Sequence, residues 1–70
     1  MSDKTPTATE REIVLLLSQG KTLKEIAWER KRSLQTLYFQ TKTLHQAHGT
    51  HTPAGLVAVF FRKGWIIWEP

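Results

Sequence analysis

Thr22-Leu23-Lys24-Glu25-Ile26-Ala27-Trp28-Glu29-Arg30-Lys31-Arg32-Ser33-Leu34-Gln35-Thr36-Leu37 is the stretch that decides the fold of this 70-residue chain. It opens with a capping box. The Thr22 hydroxyl is placed to accept from the backbone N–H of Glu25, and the Glu25 carboxylate to reach back to that of Thr22. Ile26 and Ala27 supply an inward face, so the pattern predicts a short helix that fades near Arg30-Lys31. Ser33 is the next N-cap. Behind it Leu37, Thr41 and Leu44 recur at helical spacing until Gly49, where a left-handed C-terminal cap would end a helix over residues 34–48. A short helix, a tight turn and a longer Ser-capped helix make a helix-turn-helix arrangement. In such a unit the first helix braces the second, whose N-terminal half can enter the major groove of DNA.

The same punctuation continues on either side. Thr7-Ala8-Thr9-Glu10 is another capping box, followed by Ile13, Val14, Leu16 and Leu17 on one stripe and by Gly20 at a C-cap position, which predicts a helix over residues 8–19. Thr52-Pro53 is a cap followed by proline at the first helical position, where its missing N–H costs nothing. A helix should then run through Leu56, Val57, Phe60 and Phe61 to Gly64. No strand alternation, repeat or low-complexity segment interrupts this order. The expected fold is all-α, four short helices with tight turns, with a flexible N-terminus at 1–6, a domain at 7–66 and a tail at 67–70.

Composition narrows the function. Seventy residues make one domain, and at this size a single core rarely supplies more than about 3–5 kcal/mol, so a partner subunit is a natural addition. The absence of cysteine removes disulfides and thiolate zinc sites. Too few residues remain after building a core for an enzyme pocket, and no nucleophile–base constellation, paired carboxylates or phosphate-cradling glycine loop is present; no enzyme activity and no cofactor are expected. Neither the start of the chain nor the apolar run at 55–61 has the length of a signal or membrane segment, so a cytoplasmic protein is expected. The net charge of +4 points to an anionic partner, nucleic acid first. That charge is back-loaded: residues 1–29 carry four basic and five acidic side chains, residues 30–70 six basic and one acidic.

The residues resemble the LuxR/GerE-type helix-turn-helix domain of bacterial regulators. Thr7-Ala8-Thr9-Glu10-Arg11-Glu12 is similar to that family's opening T-x-x-E-R-E, and Leu16-Leu17-Ser18-Gln19-Gly20-Lys21-Thr22-Leu23-Lys24-Glu25-Ile26-Ala27 to its L-[LI]-A-x-G-x-[ST]-N-K-E-I-A. Ser33-Leu34-Gln35-Thr36-Leu37 resembles S-x-x-T-V, with Leu44, Gly49 and Leu56-Val57-Ala58 at the expected distances, so the likeness spans residues 7 to about 66. It implies a four-helix domain that reads the major groove with its third helix and pairs through its fourth. The groove-facing positions would be Gln35, Tyr38, Phe39 and Lys42. The phosphate-contacting positions would be Thr22, Lys24, Ser33 and Thr36, at helix N-termini that suit phosphates through their N–H groups and dipole. The chain differs from the family pattern in carrying Tyr38 and Phe39 after Thr36-Leu37. It has Arg30-Lys31 where a Leu and a Gly are usual, Arg32 before the Ser, Gln40 for a His, and Ala47-His48 for Lys-Leu.

Several residues admit two readings from the sequence. Arg30-Lys31-Arg32 is either a solvated turn or a phosphate clamp beside the recognition helix. Gln35 and Gln40 are either solvated or hydrogen-bonded to adenine edges. Phe39 lies about 200° round the helix from Leu37, which makes a core role awkward. Tyr38 and Phe39 therefore contact DNA or belong, with Leu23, Trp28 and Leu34, to an apolar patch for a protein partner. The fourth helix is apolar almost all round, which suggests a homodimer interface at Leu56, Val59, Phe60 and Lys63. His45, His48 and His51 have metal-compatible spacing on a helix, but no acidic or thiol ligand accompanies them and Gly49 ends the helix between them, so no metal is expected. The Trp65-Ile66-Ile67-Trp68 tail has membrane-interface aromatics without a separate basic face, and no membrane contact is expected.

The leading expectation is a free-standing, homodimeric, LuxR-type regulator binding double-stranded DNA, with Arg30, Lys31, Arg32, Thr22 and Lys24 on phosphates. With neither receiver nor ligand domain in view, its regulation would come from abundance or a partner. The alternative is a protein-binding module, an anti-activator that pairs with or occludes a full-length transcription regulator or another bacterial protein.

Overall fold

The computed structural model describes residues 5–67, which form four α-helices and no strand. They are α1 (Ala8–Ser18), α2 (Leu23–Arg30), α3 (Leu34–His48) and α4 (Pro53–Arg62). Each begins where a side chain satisfies the first backbone donors. Thr7 and Glu10 form the reciprocal box at α1, with bonds of 2.8 and 3.1 Å. Thr22 and Glu25 repeat it at α2, at 2.9 and 3.1 Å. Thr52 accepts from the Gly55 N–H at 3.0 Å, with Pro53 opening α4.

The helix ends follow the same local logic. After α1, Gly20 takes a φ of +89° and the N–H groups of Gly20 and Lys21 donate to the carbonyls of Leu17 and Leu16. That is a Schellman turn, and glycine is the residue suited to its left-handed position. The turn after α2 has the same bonding, from Lys31 to Trp28 and from Arg32 to Ala27, but its left-handed residue is Lys31, with a φ of +54°. This is the position where the resembled family carries glycine.

Two apolar clusters share α1. Ile13 and Leu16 meet Ile26, Ala27 and Leu37, with Leu17, Leu23 and Leu34 packed at the margin. Val14, one residue and about 100° round the helix from Ile13, meets Leu44, Leu56, Phe60 and Ile66, with Leu15, Val57 and Trp65 beside them. α3 spans both clusters, Leu37 in one and Leu44 in the other. Thr41 lies buried between them, its hydroxyl shared by the Leu37 and Tyr38 carbonyls at 2.9 and 3.0 Å. Consequently α2 and α3 are braced from behind, and their outward faces stay clear.

The dimer interface expected on α4 needs correction. Leu56 and Phe60 are both 0% exposed and fill the second cluster, so neither can meet another chain. They lie four residues apart on the inward stripe, flanked by half-buried Val57 and Val59. The solvent side carries Ala54, Ala58, Phe61 and Arg62 instead, with Lys63 exposed just beyond the helix. Tail residue Ile66 is also buried, against α1 and α4, while Ile67 projects outward. Pro6 is buried too, so order begins before residue 7. Of the flexible N-terminus expected at 1–6 and the tail expected at 67–70, residues 1–4 and 68–70 lie outside the described residues.

Candidate nucleic-acid interface

α3 is 15 residues long, about 22 Å at 1.5 Å per residue. With Leu37, Thr41 and Leu44 inside, the opposite stripe comprises Gln35, Phe39, Lys42 and Gln46, all exposed. Phe39 keeps 70% of its surface in solvent and Tyr38, on the flank nearer Leu34, keeps 59%. The two glutamines therefore separate. Gln35 stands on the open stripe, whereas Gln40 is half-buried, its side-chain oxygen enclosed and without a hydrogen-bond partner. An adenine contact is open to Gln35 and not to Gln40. Gln46 was not singled out by the sequence reading, although its spacing of eleven from Gln35 puts it on the same face.

The two helix N-termini differ as anion sites. At α2 the Thr22 N–H donates to the Glu25 carboxylate and the Thr22 hydroxyl accepts from the Glu25 N–H, so the polar atoms of Thr22 are already engaged. The Thr22 backbone N–H first, and then the Thr22 side chain, hold the Glu25 carboxyl below the usual carboxylate range. At α3 no acidic side chain occupies the first turn, and the Ser33 hydroxyl accepts from Thr36 at a long 3.4 Å. Free N–H groups and the positive dipole end are therefore offered there without an internal anion. Exposed Lys31 and Arg32 immediately precede this terminus, and Thr36 is exposed on its first turn.

The cations divide into structural and available groups. Arg30 pairs with Glu12 at 3.3 Å, tying α2 to α1. Lys21 pairs with Glu29 at 2.6 Å, a contact that raises the ammonium pKa, first through the hydrogen bond and then through charge. Lys24, Lys31, Arg32 and Lys42 are exposed and enter neither ion pair. Of the three clustered basic residues, two are thus free to meet a phosphate while Arg30 is shared with Glu12.

The apolar patch expected for a protein partner is divided in space. Leu23 and Tyr38 line one concavity, together with Lys42 and His45. Trp28 and Leu34 line another, on the far side of α2. Phe39 stands on the open stripe of α3. Of the three histidines, His45 and His51 border the same concavity and His48 packs elsewhere. His45 Nδ1 lies 2.7 Å from the Thr50 hydroxyl, His48 packs edge-on against Phe60 and Trp65, and His51 is exposed. Among the described residues no group of three or more His, Asp or Glu is arranged to hold a metal, and no helix is long and apolar enough to cross a membrane.

Comparison of the chain with family models, curated proteins and solved structures found no match.

Proposed function

We propose that this chain is a small double-stranded-DNA-binding transcriptional regulator of the LuxR-type helix-turn-helix class, acting through α3. The observation that carries this reading is the α2–turn–α3 unit. Its longer helix offers an unobstructed outward stripe, and its N-terminus has no internal anion and is preceded by two available cations, Lys31 and Arg32. Lys24, Lys31 and Arg32 neutralise phosphates, the Ser33-capped terminus of α3 receives another, and Gln35, Tyr38, Phe39 and Lys42 face the base edges. An exposed Gln suits adenine, and an aromatic edge suits the thymine methyl. With a single cation on the stripe, most of the affinity is electrostatic and comes from the turn.

A second copy pairing through α4 meets Ala54, Ala58 and Phe61, not the buried Leu56 and Phe60. Phe61→Asp would then lower the sedimentation mass of a dimer without unfolding the domain. The DNA reading is tested by fluorescence anisotropy on labelled duplex with wild type and Arg32→Ala. Binding that weakens with salt, and weakens further in the variant, supports it. Failure to bind duplex at micromolar protein and low salt overturns it.

A further inference from the structure

We propose that the groove between α2 and the first turn of α3 docks an acidic segment of another protein, which lays a bulky apolar side chain against Trp28. Trp28 projects from α2 with 84% of its surface exposed, the least covered among the exposed large hydrophobics. It forms one wall of a concavity whose floor is buried Ala27 and half-buried Leu34. A partner that fills this concavity removes indole and leucine surface from water together, the arrangement of an anchor residue in a pocket.

Charge around the groove selects the partner. Lys24, Lys31 and Arg32 line it and pair with no carboxylate among the described residues. Of the nearby carboxylates, Glu29 also lines the groove but is paired with Lys21 at 2.6 Å, and Glu25, beside Trp28, stays ionised while accepting from the Thr22 N–H at 2.9 Å, so three cations face one unpaired acid. The rim is therefore cationic in effect although the helix carries acids. A neutral apolar segment leaves those cations without counterions, and an acidic one satisfies them. A single-stranded nucleic acid fits less well, because continuous stacking needs successive aromatic platforms and this groove has one ring above an aliphatic floor. Lys31 and Arg32 also belong to the phosphate-binding set proposed above. The segment and DNA therefore compete, a consequence that rests on the DNA reading, whereas the docking itself does not.

The test uses the full chain and a short fluorescein-labelled peptide of Asp, Glu, Leu and Phe. Three comparison probes are the same peptide with Lys for each acid, the same peptide with Ser for each Leu and Phe, and a single-stranded oligothymidine. Anisotropy gives affinity, and the indole N–H resonance of Trp28, assigned by its loss in Trp28→Ala, reports occupancy. The acidic apolar peptide should shift that resonance and bind about tenfold or more tightly than either altered peptide. Trp28→Ala and the double variant Lys31→Ala/Arg32→Ala should each weaken it about tenfold, with unchanged circular dichroism because all three side chains are exposed. Equal affinity for the Ser-substituted peptide, wild-type affinity in Trp28→Ala, or a Trp28 shift produced by oligothymidine and not by the peptide would each overturn the proposal. Peptide binding without any duplex binding retains the docking site and removes only the competition.

Discussion

Lys31→Gly is a perturbation whose effects on stability and on binding should have opposite signs. Lys31 is the only non-glycine residue at positive φ among the described residues. A left-handed conformation costs an L-residue roughly 1–2 kcal/mol, which glycine avoids. Glycine returns part of this, about 0.5–1 kcal/mol, through the wider conformational freedom of its unfolded chain. Because the Lys31 side chain is exposed and enters neither ion pair, no packing or salt bridge is lost. The net expectation is a gain of about 1 kcal/mol, or about 4–8 °C in melting temperature for a domain of this size. Urea unfolding monitored by circular dichroism should show a higher midpoint with an unchanged slope. Lys31→Ala separates the causes, since it removes the charge and keeps the backbone conformation; it should give no such gain. On DNA both variants should lower the slope of log affinity against log salt by about 0.9, the share of one phosphate. A Lys31→Gly midpoint at or below wild type, or equal midpoints in the two variants, would refute the claim that this turn is strained.

Three further expectations follow from the interior and the caps. Phe60→Ala should cost about 3–5 kcal/mol, enough to unfold a domain this small, while Phe61→Ala one position on should leave the urea midpoint nearly unchanged. His48→Ala should cost about 1–3 kcal/mol, because its ring makes edge contacts at 5.4 Å with both Phe60 and Trp65, and such pairs are worth about 0.5–1.5 kcal/mol each beyond area burial. The Glu25 carboxyl is held below its ordinary range, chiefly by the Thr22 backbone N–H, so its contribution is full above the unfolded value near about pH 4.5 and is lost as pH falls through the lower folded value. Urea midpoints taken from about pH 6 down to about pH 2 should therefore fall less steeply in Glu25→Gln than in wild type.

The sequence carried the helices because their ends are written in local chemistry. Two Thr-x-x-Glu boxes, a Thr-Pro pair and glycines after α1 and α3 act within four residues of themselves, and each is found at work. The outward placement of Phe39 was legible for a similar reason, since its angle from Leu37 depends only on helical pitch. What stayed hidden depended on partners distant in the chain. An apolar α4 does not announce which face turns inward; that is settled by Val14, Leu44 and Ile66, which claim Leu56 and Phe60. The occupation of Arg30 by Glu12 joins residues eighteen apart, and nothing in the basic run Arg30-Lys31-Arg32 marks its first member as the structural one. The division of the apolar patch was likewise illegible, because Leu23 and Trp28 leave the same short helix toward different grooves.

The central claim is that α3 and the Lys31-Arg32 turn hold duplex DNA, and its most direct measurement is the affinity for a labelled duplex across a series of salt concentrations. The three available cations on phosphates, Lys24, Lys31 and Arg32, predict a slope of log affinity against log salt of about −2.7 per chain at about 0.9 per phosphate, falling in magnitude by about 1 in Arg32→Ala. A flat salt response, or no binding at micromolar protein in low salt, would contradict it.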